Sequence, residues 1–376
     1  MDTSRLSSLL FDRKERLQSQ QIMWLVALAC LPGILAQLWF FGFGIISNLI
    51  LCCGFCVLFE ALCDHLRKND LGASVRDYSA ILTGVLLAIS LPPYLPFTVC
   101  AFASLFSIVI AKQLYGGLGC NPFNPAMTGY AACLISFPVP MTRWIMPGSS
   151  SEALSVADGT KQAIFLDAIP DSVTGATPLE IVRENDSQLL EDLYSSTALF
   201  NEASLSTVGY EWVSIAFALG GGWMLYRGII RWHAPISMLI AVLVTSALFY
   251  DGGSSTSGGS PLFHLLNGAT IFGAFFIATD PVSGATSQRG RILFGALVGC
   301  LTVLIRVKGY YPDGIAFAIL LGNFAVPIID KYSRPRAFGT KLSSMNGPDP
   351  DSLKQSKTDI PEGKWRAQTK NEGKRS

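Results

Sequence analysis

Two short stretches of this chain place a threonine hydroxyl behind a run of small residues. "DSVTGATPLE" (171–180) and "ATDPVSGATSQRGR" (278–291) both read Asp, two residues, Ser or Thr, Gly, Ala, Thr. In the first, Asp171, Thr174, Gly175 and Ala176 lead to Thr177; in the second, Asp280 and Ser283 lead to Thr286. Small residues before a hydroxyl make an accessible, flexible segment that another enzyme's cleft can hold, with the Asp placed to orient the incoming group or a metal. By residue type alone a turn or helix cap is the simpler account, because Ser-Gly and Thr-Gly pairs form both. A third stretch, "GGLGCNPFNPAMTGY" (116–130), breaks regular backbone twice, at Asn121-Pro122 and Asn124-Pro125. Its plain reading is helix entry, with Asn124 as N-cap and Pro125 as first helical residue. Its functional reading is a ligand or pore lining, since unwound backbone at membrane depth is tolerated only where protein or a cavity satisfies it. "CCGFC" puts Cys53 and Cys56 on one helical face, a spacing open to metal or an iron-sulfur centre, but cysteine in an apolar helix is more often packing.

The elements that must carry these residues are membrane helices. Half of the 376 residues are hydrophobic and only 15% are charged, where soluble domains carry about 25%. The mean hydropathy is +0.40. Apolar windows fall near 22–40, 45–63, 78–93, 95–112, 124–140, 211–227, 234–250, 262–279, 291–306 and 313–330, several at the short end of the roughly 17–25 residues that a bilayer requires. The expected fold is therefore an all-α integral membrane protein with about ten transmembrane helices. "NPAMTGYAACLISFPVP" and "YPDGIAFAILLGNFAVP" share a proline and an F-x-V-P ending at the same spacing, which allows two inverted five-helix repeats.

Charge orients the bundle. Arg13, Lys14 and Arg16 precede the first span, Arg67, Lys68 and Arg76 follow the second, and Arg227, Arg231, Arg289, Arg291, Lys331, Arg334 and Arg336 fall on the same side. That side is the cytoplasm, with Arg306 and Lys308 the exception. The expected order is an amphipathic cytoplasmic segment (1–21), a first bundle (22–140), an external loop (141–209), a second bundle (210–331) and a disordered cytoplasmic tail (332–376). The loop holds ten carboxylates against Arg143, Lys161 and Arg183, and none of the nine cysteines, so no disulfide framework is expected. No basic, aromatic-interleaved patch points to nucleic acid.

These segments resemble a known family. The two threonine motifs resemble the flavin-attachment motif read by bacterial flavin transferases. "NPFNPAMTGY", "ATDPVS" and "GRILFGALVGCLTVLIRVKGYYPDGIAFAILLGNFAVPIIDKYSRPRAFG" are similar to the NqrB/RnfD family, membrane subunits of the sodium-pumping NADH:quinone reductase and of the Rnf electron-transport complex. The resemblance covers nearly all of residues 20–340. It implies FMN joined to Thr177 through a phosphoester, although Ser172 stands where the motif usually has Gly and Thr174 where it has Ser. It further implies a bacterial inner-membrane subunit with both termini cytoplasmic, working with other Rnf-type subunits to pass electrons between ferredoxin and NAD, coupled to sodium or proton movement. A second, noncovalent flavin such as riboflavin is also implied, and Asn121, Asn124, Asp280 and Ser283 are the candidates for lining it or an ion route, because polar residues beside broken helices are costly in a membrane unless used. Threonine is a weak nucleophile at neutral pH, so attachment requires the transferase. Topology selects Thr177 over Thr286, since the transferase acts outside the membrane. The alternative from another class is a passive channel or small-solute transporter, and Asn124-Pro125-Ala126 resembles the triplet of water channels, which use two such triplets where this chain has one.

Overall fold

The computed structural model describes residues 19–68, 77–147 and 173–333, apart from 186, 202, 256, 310 and 312. The N-terminal segment up to residue 18, the tail from 334, and Asp171 lie outside the described residues. The described chain is helical, with one two-stranded sheet among these residues.

The first half holds α1 (Ser19–Ala29), α2 (Leu31–Phe41), α3 (Gly44–Arg67), α4 (Ser79–Ser90), α5 (Phe97–Leu105) and α6 (Pro125–Ser136), followed by the short α7 (Pro138–Thr142). A π-helix, Phe106–Ile110, extends α5. Strands β1 (Trp144–Ile145) and β2 (Thr174–Gly175) pair antiparallel, Trp144 opposite Gly175. The short helices α8 (Pro178–Arg183), α9 (Leu190–Ser196) and α10 (Ala198–Asn201) follow. The second half holds α11 (Tyr210–Tyr226), α12 (His233–Phe249), α13 (Pro261–Leu266), α14 (Thr270–Phe272) with its π-helical extension Gly273–Ile277, α15 (Gln288–Lys308) and α16 (Ile315–Ser333). Among the described residues five stretches are long and apolar enough to cross a bilayer: Gln20–Phe41, Gly44–Arg67, Phe97–Tyr115, Gln288–Lys308 and Ile315–Ser333. Shorter apolar helices such as α4 and α12 accompany them, so this is a multi-pass membrane protein.

Three helix starts share one local design. Asn124, Thr177 and Ser260 are N-caps whose side chains accept from the N–H of Met127, Glu180 and Phe263, and each is followed by Pro at the first helical position. The missing proline N–H costs nothing there, so the polar-Pro pair ends one segment and starts the next.

Small residues let helices close on one another. A Cβ on Gly295 would lie 2.1 Å from Ser237 Oγ, and one on Gly299 2.5 Å from the Met238 carbonyl oxygen, so α15 meets α12 almost backbone to backbone. Gly84 brings α4 equally close to Cys53 on α3. The cysteines here pack: the Cys53 thiol donates to the Ile81 carbonyl at 3.7 Å, and Cys56 is buried with Ala80 and Ile108.

The structure corrects three expectations. The window 262–279 is two pieces, because Gly268 takes a left-handed turn (φ 64) after Asn267 and separates α13 from α14. The window 124–140 likewise ends its regular helix at Ser136, where Phe137 leaves helical geometry before Pro138. Where the interval between the bundles is described after residue 172, it is more than an exposed loop. Leu179, Val182, Leu190 and Phe200 bury one face of α8–α10 against Phe263, and Thr174-Gly175 lies in a strand pair, so residues 173–177 are folded and not a flexible tether.

Candidate functional site

Thr177 stands where β2 turns into α8. Its Oγ1 lies 3.0 Å from Glu180 Oε2 and donates to it, and its backbone N–H donates to the same oxygen at 2.8 Å. In return the Glu180 N–H reaches Thr177 Oγ1 at 3.4 Å, completing a reciprocal capping box. The plain reading of the motif as a helix cap is therefore correct for Thr177.

The same residue also borders a large cleft. Thr177, Pro178, Leu179 and Glu180 form one rim, and Phe41, Tyr130, Trp144, Tyr210, Phe217 and Phe272 supply aromatic walls. Met127, Leu134 and Met141 add aliphatic and thioether surface. About 1180 Å³ of non-atom space lies inside, part of it open to solvent. Apolar walls with a few placed polar groups are the usual build of a cofactor pocket.

Gln37, Ser214 and Asp313 bring polar groups to it from separate parts of the chain. Gln37 on α2 is 7% exposed and donates from Nε2 to the Ile89 carbonyl at 3.2 Å. Ser214 on α11 is turned to the Leu266 carbonyl at 2.7 Å. Asp313 accepts from the Ala269 and Ile315 N–H groups and pairs with Arg306 Nη2 at 3.1 Å. Arg306 Nη1 in turn donates to the His264 carbonyl and Thr270 Oγ1, each at 2.9 Å. Arg306 is thus a buried structural cation, which explains why it sits on the side that charge counting marks as external. A charge already paired inside the fold does not report orientation as a solvated loop charge does.

Thr286 has other surroundings. Its N–H and hydroxyl both donate to Asp330, at 3.0 and 2.9 Å, and neighbouring Ser287 caps α15. Leu179 and Arg306 meet at Gly268, where an added Cβ would touch both at under 3 Å. The Thr177 cleft therefore lies by the C-terminal end of α15 and Thr286 by its N-terminal end. At 1.5 Å per residue the 21 residues of α15 separate the two motifs by about 30 Å, the thickness of a bilayer core.

The remaining candidates divide into a cluster and local roles. Asn323, at mid-length in α16, accepts from the Asn124 N–H at 3.4 Å and donates to the Ser283 carbonyl at 2.8 Å. Ser283 donates to Asp280 at 2.6 Å. Asn124, Asp280 and Ser283 are thereby joined across the two halves. Asn121 turns back on its own loop, donating to the Phe123 carbonyl at 3.0 Å. Thr174 and Gly175 belong to the strand pair, Gly175 tight against Met146, and Ala176 is exposed.

Sequence reasoning missed Asn323 and, apart from Thr177, the cleft lining. One signal was present: Gln37 is the lone polar side chain in "LPGILAQLWFF".

A model described as the NQR2, RnfD, RnfE family matches residues 12–339. The chain belongs to the NQR2, RnfD, RnfE family. Relatives in this family include a Cellvibrio japonicus protein, 49% identical over 328 residues, which span 86% of this chain and 92% of the relative. A Pseudomonas aeruginosa PAO1 protein is 48% identical over 318 residues (85% and 91%), and an Escherichia coli SMS-3-5 protein 44% identical over 354 residues (89% and 98%). All three are named as the D subunit of an ion-translocating oxidoreductase complex.

Proposed function

We propose that this chain is the flavin-carrying membrane subunit of an ion-translocating electron-transport complex of the Rnf type, with FMN joined to Thr177 through a phosphoester and its ring in the adjoining cleft. The observation that carries this reading is that Thr177 borders an aromatic-walled cleft, whereas Thr286 of the near-identical motif lies at the far end of α15 and is not part of that lining. The residues fit the group. Phe41, Tyr130, Trp144 and Tyr210 offer flat apolar faces to a planar ring, and Gln37, Ser214 and Asp313 bring polar atoms to its edges.

Bound FMN would supply one- and two-electron exchange. The chain's own contribution is position and environment: Thr177 fixes the phosphate end, the aromatic walls exclude water, and Arg306 holds Asp313 at the rim. The Asn124, Asp280, Ser283 and Asn323 cluster is the proposed lining of a second, noncovalent flavin or of the ion route, with Asn121 beside it. The chain would sit in a bacterial inner membrane with both termini cytoplasmic, beside other complex subunits, and mature through an exported flavin transferase. Ferredoxin and NAD as redox partners, and sodium or protons as the coupled ion, follow from the family resemblance. Membership in this family favours the role of complex subunit over that of a stand-alone channel.

The test is covalent flavin itself. After co-expression with a flavin transferase, Thr177→Val should abolish the fluorescent band that survives denaturing electrophoresis, and Thr286→Val should keep it. A band retained in Thr177→Val would place the flavin elsewhere.

A further inference from the structure

Gln37 is a costly residue in its setting. It sits in an apolar membrane helix and is only 7% exposed, yet it satisfies only part of its hydrogen-bonding capacity. Its Nε2 donates to the Ile89 carbonyl at the end of α4, which fixes the amide's orientation. The carbonyl, Oε1, is buried with no donor among the described residues. A buried acceptor left unpaired is destabilising, so such a group in a cofactor cleft points to a partner that the cofactor brings.

The surroundings narrow that partner. Phe41 lies one turn along α2 on the same face, and Phe217 from α11 packs so closely on Gly33, one turn earlier, that a Cβ there would lie 2.2 Å from its ring. Gln37 is therefore the polar point between two aromatic residues of the cleft wall. A primary amide presents one acceptor and, beyond the bond to Ile89, one further N–H. That pattern complements an imide edge, which offers N–H beside C=O.

We infer that Gln37 is the residue that reads the imide edge of the flavin ring, its Oε1 accepting from the ring N3–H. This rests on the reading of the cleft as a flavin site. Gln37 is a positioning residue: it holds the pyrimidine end of the ring while Thr177 holds the phosphate end, so the two contacts together fix where the ring lies along the cleft.

The probes are riboflavin and 3-methylriboflavin, which differ in whether N3 carries a proton or a methyl group, bound noncovalently to the full chain carrying Thr177→Val and Asn323→Leu so that neither covalent flavin nor flavin at the Asn323 cluster contributes. Binding is read from quenching of flavin fluorescence. One net hydrogen bond is worth up to about tenfold in affinity. With Gln37 present, methylation of N3 should weaken binding by about tenfold beyond whatever loss it causes in Gln37→Leu, where the methyl group serves as its own steric control. Gln37→Leu should also shift the carbonyl stretching frequencies of the covalently attached ring in the chain that retains Thr177, with in-gel fluorescence verifying equal loading. Equal penalties for methylation with and without Gln37 would overturn the inference while leaving the cleft as a flavin site. Failure of riboflavin to bind either chain would overturn both.

Discussion

Attachment of FMN to Thr177 would place a phosphodiester, with one negative charge, directly against Glu180. In the flavin-free chain the Glu180 carboxylate is bound by the Thr177 hydroxyl and N–H. Esterification removes the hydroxyl donor and brings an anion to within ~4 Å, where two unit charges at an effective dielectric near 20 repel by about 4 kcal/mol. Glu180 is half-buried, and solvent screening reduces this to about 1–2 kcal/mol. Glu180→Gln removes the charge yet preserves the capping box, which accepts either residue at this position. The substitution should therefore alter the flavin-free chain by less than ~0.5 kcal/mol and stabilise the flavin-bearing chain by about 1–2 kcal/mol. Thermal unfolding of both proteins in detergent, each prepared with and without the transferase, measures the difference of differences. A shift of equal size in both preparations would mean that no attached phosphate lies beside Glu180, and the placement of FMN on Thr177 would fail with it.

Three further outcomes are expected. Arg306→Met should destabilise the fold by about 3 kcal/mol, since it strips a buried partner from Asp313 and leaves the His264 carbonyl and Thr270 hydroxyl short of a donor; Arg306→Lys should recover only part, lacking the planar fork, as thermal unfolding would register. In a Cys120→Ser background, an impermeant thiol label should reach Ser195→Cys in intact spheroplasts and should miss Gln288→Cys, both being exposed positions; the opposite pattern would invert the orientation. Asn323→Leu should cost about 2 kcal/mol by leaving the Ser283 carbonyl unpaired and the Asn124 N–H without its acceptor, and should loosen noncovalent flavin if that cluster binds one, as hydrogen exchange and riboflavin retention would show.

The membrane class and the run of apolar helices were legible because burial in lipid needs only composition over some twenty residues. Helix interruptions were less so: Asn267-Gly268 breaks an apolar window whose mean hydropathy barely registers one turn. The cleft was hidden for a different reason. An aromatic residue in an apolar helix reads alike whether it meets lipid or a cavity, and Trp39 is 77% exposed while Phe41, two residues on, is 3% exposed and lines the cleft. Its walls also come from segments as distant as Gln37 and Asp313, which no local pattern links. Thr177 and Thr286 carry the same motif, so the choice between them came from charge asymmetry and family resemblance. Both hydroxyls donate to a carboxylate, Thr177 to Glu180 and Thr286 to Asp330, and what differs between them is the cleft that Thr177 borders.

The two π-helices carry a consequence of their own. In each, an amide reaches back five residues, Ala111 to the Phe106 carbonyl and Ala278 to Gly273, so each contains one residue more than an α-helix of that span would hold. The chain leaves each π-helix turned by about 100° relative to uninterrupted helix. Downstream of the first comes Asn124; downstream of the second, Asp280 and Ser283. The direction in which the chain approaches the cluster thus depends on residue count as well as on the side chains that bond there. A single-residue deletion within 106–110 or 273–277 would leave the membrane helices their composition and swing one half of the cluster away from Asn323, whereas most substitutions there would not.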